Sequence, residues 1–382
     1  MISRREFLRL TAVSAAAAGL PGFLKAAPLT TAGLALPAGK RVLVDWHSHF
    51  VTQAEIDFLS RRQLAPRIII DAAGKPLLEN VTTVSSVAGR PSPHEPSDIG
   101  ARLQHLDQHG IARQLLTHTV ALGLDATLPL EELRPLFRAV NDELAGVVAR
   151  YPDRFLAVAA LPSADPVWAA EELTRAHREL GLIGGSLPLN AFSTLAGART
   201  LAPLFATAQR LGSHFFIHRG PANERVPGQP PLVIPGDTEF ARWSVISNSH
   251  LTAGAITLGL TDFLDPYPDV SVQVIMLAGF LPYLTDTFVA GAERAGIKDP
   301  LARLRRLYLD PGPYSRNGEW VSLAAAKLGA DRILFGTDYG VGGGTRGDVG
   351  LALASLDNAL TPEQRQRIYV DNSRDLLARK RA

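Results

Sequence analysis

From Val42 onward, short apolar runs alternate with longer segments in which apolar residues recur at helical spacing. The runs are Val42–Val44, Ala112–Val120, Phe155–Leu161, Gly181–Leu189, Ser213–His218, Val270–Met276, Leu307–Asp310 and Arg332–Asp338. Between them lie amphipathic stretches near Asp98–His109, Leu130–Arg150, Pro166–Leu180, Leu201–Leu211 and His250–Leu260, and two further helices close the chain. Short continuous apolar runs fit strands buried on both faces, and strands separated by helices read as βαβ units with a parallel sheet. Eight such units predict an α/β fold, a closed (β/α)8 TIM-like barrel rather than an open doubly wound sheet. No glycine-rich phosphate loop follows the first run, which removes the common nucleotide-binding readings.

Two stretches fall outside this rhythm. Residues 51–97 separate the first strand from the next helix, and within them Arg67–Ile70 and Leu77–Val81 flank Ala73-Gly74-Lys75. That pattern predicts a small β-hairpin insertion after strand one. Long loops in compact domains are usually functional, and at the top of a barrel such a loop covers the site. At the start, Ser3-Arg4-Arg5-Glu6-Phe7-Leu8 precedes an Ala-rich apolar run from Leu10 to Leu24, broken by Gly19, Pro21 and Gly22. A charged start, a short apolar stretch and small residues describe a cleaved export signal. The break leaves fewer than the ~20 clean apolar residues that spanning needs, so no stable membrane anchor is expected. The arginine pair followed by Phe-Leu resembles a twin-arginine signal, which implies a protein exported already folded to the periplasm or medium. The expected organisation is signal and linker over residues 1–38 and a barrel over 39–382.

Composition sharpens this in two places. Lys and Arg number 39 against 37 Asp and Glu in 382 residues, a net charge of +2. With no basic stripe interleaved with aromatics, nucleic acid is not an expected partner. There is no cysteine, so disulfides and thiolate ligands are excluded and any metal must sit on His and carboxylates.

The chemistry-bearing residues fall at strand ends. Asp45-Trp46-His47-Ser48-His49 closes the first run, and side chains two apart on a strand point the same way. His47 and His49 therefore converge at the C-terminal mouth, where barrel enzymes place their sites. Asp45 shares that face one layer deeper and is placed to orient an imidazole. Phe215-Phe216-Ile217-His218 ends in a histidine before Arg219-Gly220-Pro221, and Ile333-Leu334-Phe335-Gly336-Thr337-Asp338 ends in a carboxylate. Taken singly, each reads as an ordinary polar strand end. Taken together, His47, His49, His218 and Asp338 make a plausible site for one divalent metal, Zn2+ first and Mn2+ second, with Asp338 taking a proton.

This order of motifs resembles the amidohydrolase superfamily, and within it the aminocarboxymuconate-semialdehyde decarboxylase-like branch, amidohydrolase family two. Leu106-Asp107-Gln108-His109-Gly110-Ile111 is similar to that branch's entry to strand two. Asn141-Asp142-Glu143 with Tyr151-Pro152-Asp153-Arg154-Phe155 is similar to its approach to strand three. Phe263-Leu264-Asp265-Pro266-Tyr267-Pro268-Asp269 resembles its lead into strand six, and Asp371-Asn372-Ser373 its final helix. The resemblance spans about residues 41–378. It implies a mononuclear metal, usually zinc, a homodimer, and either non-oxidative decarboxylation or hydrolysis of small, often aromatic or ring-derived acids. Gly184-Gly185-Ser186-Leu187 offers no Lys or Glu to bridge a second ion, consistent with one metal.

One departure carries weight. Where the family has a His followed by glycines after strand six, this chain has Met276-Leu277-Ala278-Gly279. A thioether cannot act as acid or base, and such help is worth roughly 10²–10⁴ in rate. Asp338 is then the sole base, or His250 or His118 substitutes, or the chain binds a ligand with little turnover. Among the remaining residues, Arg219 and Arg90 are candidates for gripping a substrate carboxylate, with His250 nearby and Trp243 as a wall. His214 reads as core; His94, His105, His109 and His177 read as solvated. The expected function is a metal-dependent hydrolase or carboxy-lyase acting on a small carboxylated, aromatic or lactone compound. The alternative is an exported metal-containing binding protein. A phosphoesterase or nuclease would need more metals and carboxylates than the chain shows.

Overall fold

The computed structural model describes residues 34–70, 72, 74, 76–79, 97–231, 237–340 and 349–380. The expected signal, Arg90 and His94 lie outside these residues. The strands are β1 (Val42–Asp45), β2 (Arg67–Ile70), β3 (Pro76–Glu79), β4 (Ile111–Leu116), β5 (Phe155–Ala157), β6 (Ala159–Ala160), β7 (Gly184–Pro188), β8 (His214–His218), β9 (Ser271–Val274) and β10 (Leu307–Leu309). All pairings in the barrel are parallel, in the orders β1-β4-β5 and β6-β7-β8-β9-β10. Val158 joins the two sections, since β5 pairs with β4 and β6 pairs with β7.

The eighth run closes the ring without forming a continuous ladder. Leu334 donates to Leu309 O at 2.8 Å, Trp46 donates to Phe335 O at 2.8 Å, and Asp338 donates to His47 O at 2.8 Å. The segment 333–338 thus lies between β10 and β1, completing a barrel of eight. The long helices are α1 (Gln53–Arg61), α2 (Ile99–Gln108), α3 (Leu130–Arg150), α4 (Pro166–Arg178), α5 (Ala202–Leu211), α6 (Glu239–Leu260), α7 (Leu281–Arg294), α8 (Gly318–Leu328), α9 (Val349–Ala359) and α10 (Asn372–Arg379). Their starts follow local chemistry: Asp98 caps α2, Asp165 caps α4 ahead of Pro166, and Asn317 caps α8. None of the described helices is long and apolar enough to cross a membrane.

Three expectations shift. Helix α6 begins eleven residues before the predicted His250, because Ser244, Ser247, Asn248 and Ser249 interrupt the apolar pattern without interrupting the helix. Strand two stops at Leu116, where the Thr117 hydroxyl turns to Ser48 O at 2.8 Å. After β9 the chain enters a left-handed turn, with φ of 52°, 54° and 55° at Met276, Leu277 and Ala278. Within the 51–97 segment, β2 and β3 pair antiparallel from Arg67↔Glu79 to Ile70↔Pro76. The segment's ends meet: Val51 donates to Ser97 Oγ, and Ser97 N donates to Val51 O, both at 2.9 Å.

Candidate metal centre

His47 and His49 follow β1 with their backbone pinned on both sides. His47 N donates to Asp45 Oδ1 at 3.2 Å and His49 N to Tyr339 O at 2.7 Å. The His47 ring is buried, and its Nδ1 donates to Asp310 Oδ1 at 2.6 Å. Asp310 Oδ2 in turn accepts from Gln273 Nε2 at 2.6 Å. This fixes the ring orientation, with Nε2 facing the barrel axis, where its lone pair becomes available to an ion once its proton is displaced. The packing is close: a Cβ on Gly312, whose φ is +47°, would lie 2.9 Å from His47 Nδ1. His218, at the end of β8, donates from Nδ1 to Arg219 O at 2.8 Å, which likewise leaves its Nε2 inward.

Asp338 completes the set from the eighth segment. Its φ of 62° is in the left-handed region, which Asp tolerates better than most residues, and its N–H is clamped on His47 O. That turn aims the carboxylate at the imidazoles, with Oδ1 3.0 Å from His49 Nε2 and 3.3 Å from His47 Nε2. Ligand atoms of His47, His49, His218 and Asp338 all lie within 4.8 Å of one another. Donors sharing one ion at about 2.1 Å stand roughly 3–3.5 Å apart, so the set matches a single small cation. His47 Nε2 is buried with no hydrogen-bond partner, a cost of roughly 1–3 kcal/mol that a coordinated ion would relieve.

Electrostatics divide the ligands. Burial disfavours charge on His47, but Asp310 and Asp338 outweigh it and push its pKa up to about 10. Burial, then its neighbouring imidazoles, holds His218 well below its usual range, and burial lowers His49 despite Asp338. Burial would raise Asp338, yet His47 and His49 keep it well below the ordinary carboxylate range. The carboxylate is therefore ionised and two imidazoles are neutral, the forms that bind metals.

The structure corrects one assignment and adds one residue. Asp45 does not orient an imidazole. It accepts from Gln114 Nε2 at 2.7 Å, Thr337 N at 3.0 Å and Thr337 Oγ1 at 2.6 Å, tying β1 to β4 and to the eighth segment. The orienting carboxylate is Asp310, at the end of the seventh strand. Its only sequence signal is an acid following a short apolar run. His105 is buried and stacked on Tyr339 at 4.1 Å rather than solvated. His214 is core, held by Ser271 and Gln273 at 3.0 Å each.

Arg219 lies with its guanidinium over Trp243 at 5.5 Å and shares a small recess with Asn190, Ser247 and His250. Nearby on α6, Asn248 exchanges hydrogen bonds with Tyr314 Oη at 2.9 and 3.0 Å. His118 is buried against Phe137, and its Nδ1 faces Glu55 Oε1 at 4.0 Å, neither atom having a hydrogen-bond partner. Burial lowers His118 to about 3 and raises Glu55 to about 7. Met276 is buried at the end of the sixth barrel strand, with Leu277 N donating to Asp310 O at 2.8 Å.

The chain belongs to the Amidohydrolase family, whose sequence profile (Amidohydro_2) matches residues 44–379. It is 28% identical over 258 residues to gamma-resorcylate decarboxylase of Rhizobium radiobacter, covering 62% of this chain and 75% of the relative. It is 27% identical over 290 residues to decarboxylase orsB of Emericella nidulans, covering 72% and 84%. In three dimensions it superposes with TM-score 0.62 and 22% identity on a dihydroxybenzoic acid decarboxylase from Polaromonas, over 89% of this chain and 97% of the other. That structure was solved with manganese and the inhibitor 2-nitroresorcinol; at this identity the likeness establishes the barrel. Together these make the chain an amidohydrolase-related enzyme of the metal-dependent hydrolase and carboxy-lyase class.

Proposed function

We propose that the chain is a carboxy-lyase that removes CO2 from a small hydroxylated aromatic carboxylate without oxidation. The observation that carries this is the four-residue cluster with the unpartnered His47 Nε2 at its centre. The decarboxylase relatives favour the lyase over the hydrolase form of the same centre. A bound divalent ion, zinc or manganese, would polarise substrate oxygens there. The chain's own residues supply the rest. Arg219 offers a fork for a carboxylate, with Trp243 bracing it and His250 alongside. Asp338 takes up a proton and delivers it to the ring carbon as the C–C bond to the carboxylate breaks. The bonding pair stays on that carbon, so one proton is consumed for each CO2 released. With Met276 in place of a histidine, this transfer falls to Asp338. His118, neutral and buried on Phe137, is not needed for it. The described part of the insertion, with its β2–β3 hairpin, would shield the mouth, and the signal would export the folded enzyme, with Arg4 and Arg5 as its recognised pair.

The test is a panel of hydroxybenzoates and lactones incubated with metal-loaded protein. CO2 release from a hydroxybenzoate is expected. Ring opening of a lactone instead would establish the hydrolase, and no product from any compound would end both. Met276 motivates a second reading, a metal-containing binding protein. An inert native chain that gains turnover as Met276→His would favour that reading, whereas robust native turnover ends it.

A further inference from the structure

The opposite end of the barrel holds a cavity of about 890 Å³ beneath the starts of β8, β9 and β10. Cations line it from four separate parts of the chain: Arg210, Arg305 with Arg306, Arg332, and Arg379 with Lys380. Three carboxylates serve them. Asp269 is in the wall, Asp331 pairs with Arg305 at 2.9 Å and Arg332 at 3.2 Å, and Asp265 pairs with Arg306 at 2.6 Å. Cations outnumber carboxylates around the cavity, and Asp265 is itself shared with Arg303 at 2.9 Å. Arg332 Nε is buried against Asp331 Oδ2 at 3.2 Å without forming an aligned hydrogen bond, while the guanidinium lies over Tyr308 at 5.5 Å. Lys380 donates to Gly212 O at 2.5 Å, and burial, then Arg379, lowers its pKa to about 7.

Like charges gathered in a partly enclosed space repel one another, and an entering anion relieves that repulsion. Guanidinium forks bind both carboxylate and phosphate oxygens in pairs. A monocarboxylate would answer one surplus charge; a phosphate or diphosphate group answers two or more. The volume lies in the range of small-molecule sites and exceeds what a single phosphate fills. Strand β8 separates this cavity from the metal centre by roughly 15–20 Å, from the strand rise.

We propose that this basal cavity binds a small polyanion through a phosphate or diphosphate group, at a site separate from the metal centre. The experiment is calorimetric titration of the metal-loaded full chain with inorganic phosphate, pyrophosphate and ATP, each at two salt concentrations. One equivalent of pyrophosphate should bind more tightly than phosphate and weaken several-fold at higher salt. ATP binding tighter than pyrophosphate would identify a nucleotide; equal binding would identify the phosphate group alone. The pair Arg379→Glu with Lys380→Glu should weaken binding at least 10-fold and leave metal content and CO2 release unchanged. If that pair fails to fold, Arg306→Ala should still weaken binding several-fold. No heat from any of the three anions overturns the proposal. So does undiminished binding in the charge-reversed protein, which would place the anion on the metal.

Discussion

The two ends of this barrel are built around opposite charges. At the mouth, imidazoles and carboxylates converge on a point where a cation fits, and most of their other polar atoms are held by Asp310, Gln273 or backbone. At the base, guanidinium groups surround a larger space and meet carboxylates mostly at its margin. The mouth is assembled from strand C-termini, each delivering one side chain inward at a fixed register. The base is assembled from helix ends and strand entries, where long side chains choose among partners. Rigid delivery suits chemistry, which needs donors placed to a fraction of an ångström. Flexible cations suit electrostatic capture, which tolerates more variation.

The largest effect that tests this contrast is at Asp338. Asp338→Asn keeps the size and the left-handed turn but removes the ionised oxygen and the proton carrier. CO2 release should fall about 10²–10⁴-fold while the three histidines retain a more weakly held metal. Turnover within a few-fold of native would show that the proton is handled elsewhere, and the mouth would lose its distinguishing chemistry.

That contrast also governs what could be read from sequence. His47 and His49 were legible because a period of two on a strand puts them on one face, and His218 and Asp338 because each ends an apolar run. Asp310 also ends one, but Leu307-Tyr308-Leu309 is short, and nothing local reveals the 2.6 Å contact to His47. Asp45 looked like the orienting acid because it shares a face with His47; its actual partners, Gln114 and Thr337, come from two other barrel segments. The eighth strand was visible as an apolar run, yet only isolated bridges tie it, because Asp338 must turn left-handed immediately after it. The basal cations were invisible for a different reason. They come from distant positions in a chain of net charge +2, so neither composition nor any motif collects them.

Next in size is Glu55, a buried acid beside His118 on the mouth side. Below its ordinary pKa of 4.5 the folded and unfolded chains both carry the proton. Between 4.5 and about 7 only the folded chain keeps it, so stability falls as pH rises through that window and then levels off. The span corresponds to about 3 kcal/mol. Glu55→Gln preserves an oxygen for Thr52 and removes the titration. Denaturant unfolding at pH 4.5 and 7.5 should show the native chain losing stability between the two and the variant losing much less. Equal slopes would mean that Glu55 is ionised and solvated.

A smaller change is expected at Asp310. Asp310→Asn leaves the residue's shape but takes the negative charge from His47 Nδ1, so the imidazole becomes a poorer donor to the ion. Removing such outer partners weakens metal affinity about 10–100-fold. Chelator competition measures it directly. An unchanged affinity would mean that the 2.6 Å contact merely fills space.

The smallest effect belongs to the base. Arg305 is partly exposed, and its pairing with Asp331 is the kind worth about 0–1 kcal/mol. Arg305→Gln should therefore shift the unfolding free energy by less than about 1 kcal/mol and leave CO2 release unchanged. If the cations were a structural ring bracing the barrel, the loss would be larger and would add to that of Arg306→Gln. A surplus held for a ligand behaves otherwise: removing a repelled charge costs the free protein little, and the deficit is seen when the anion is added.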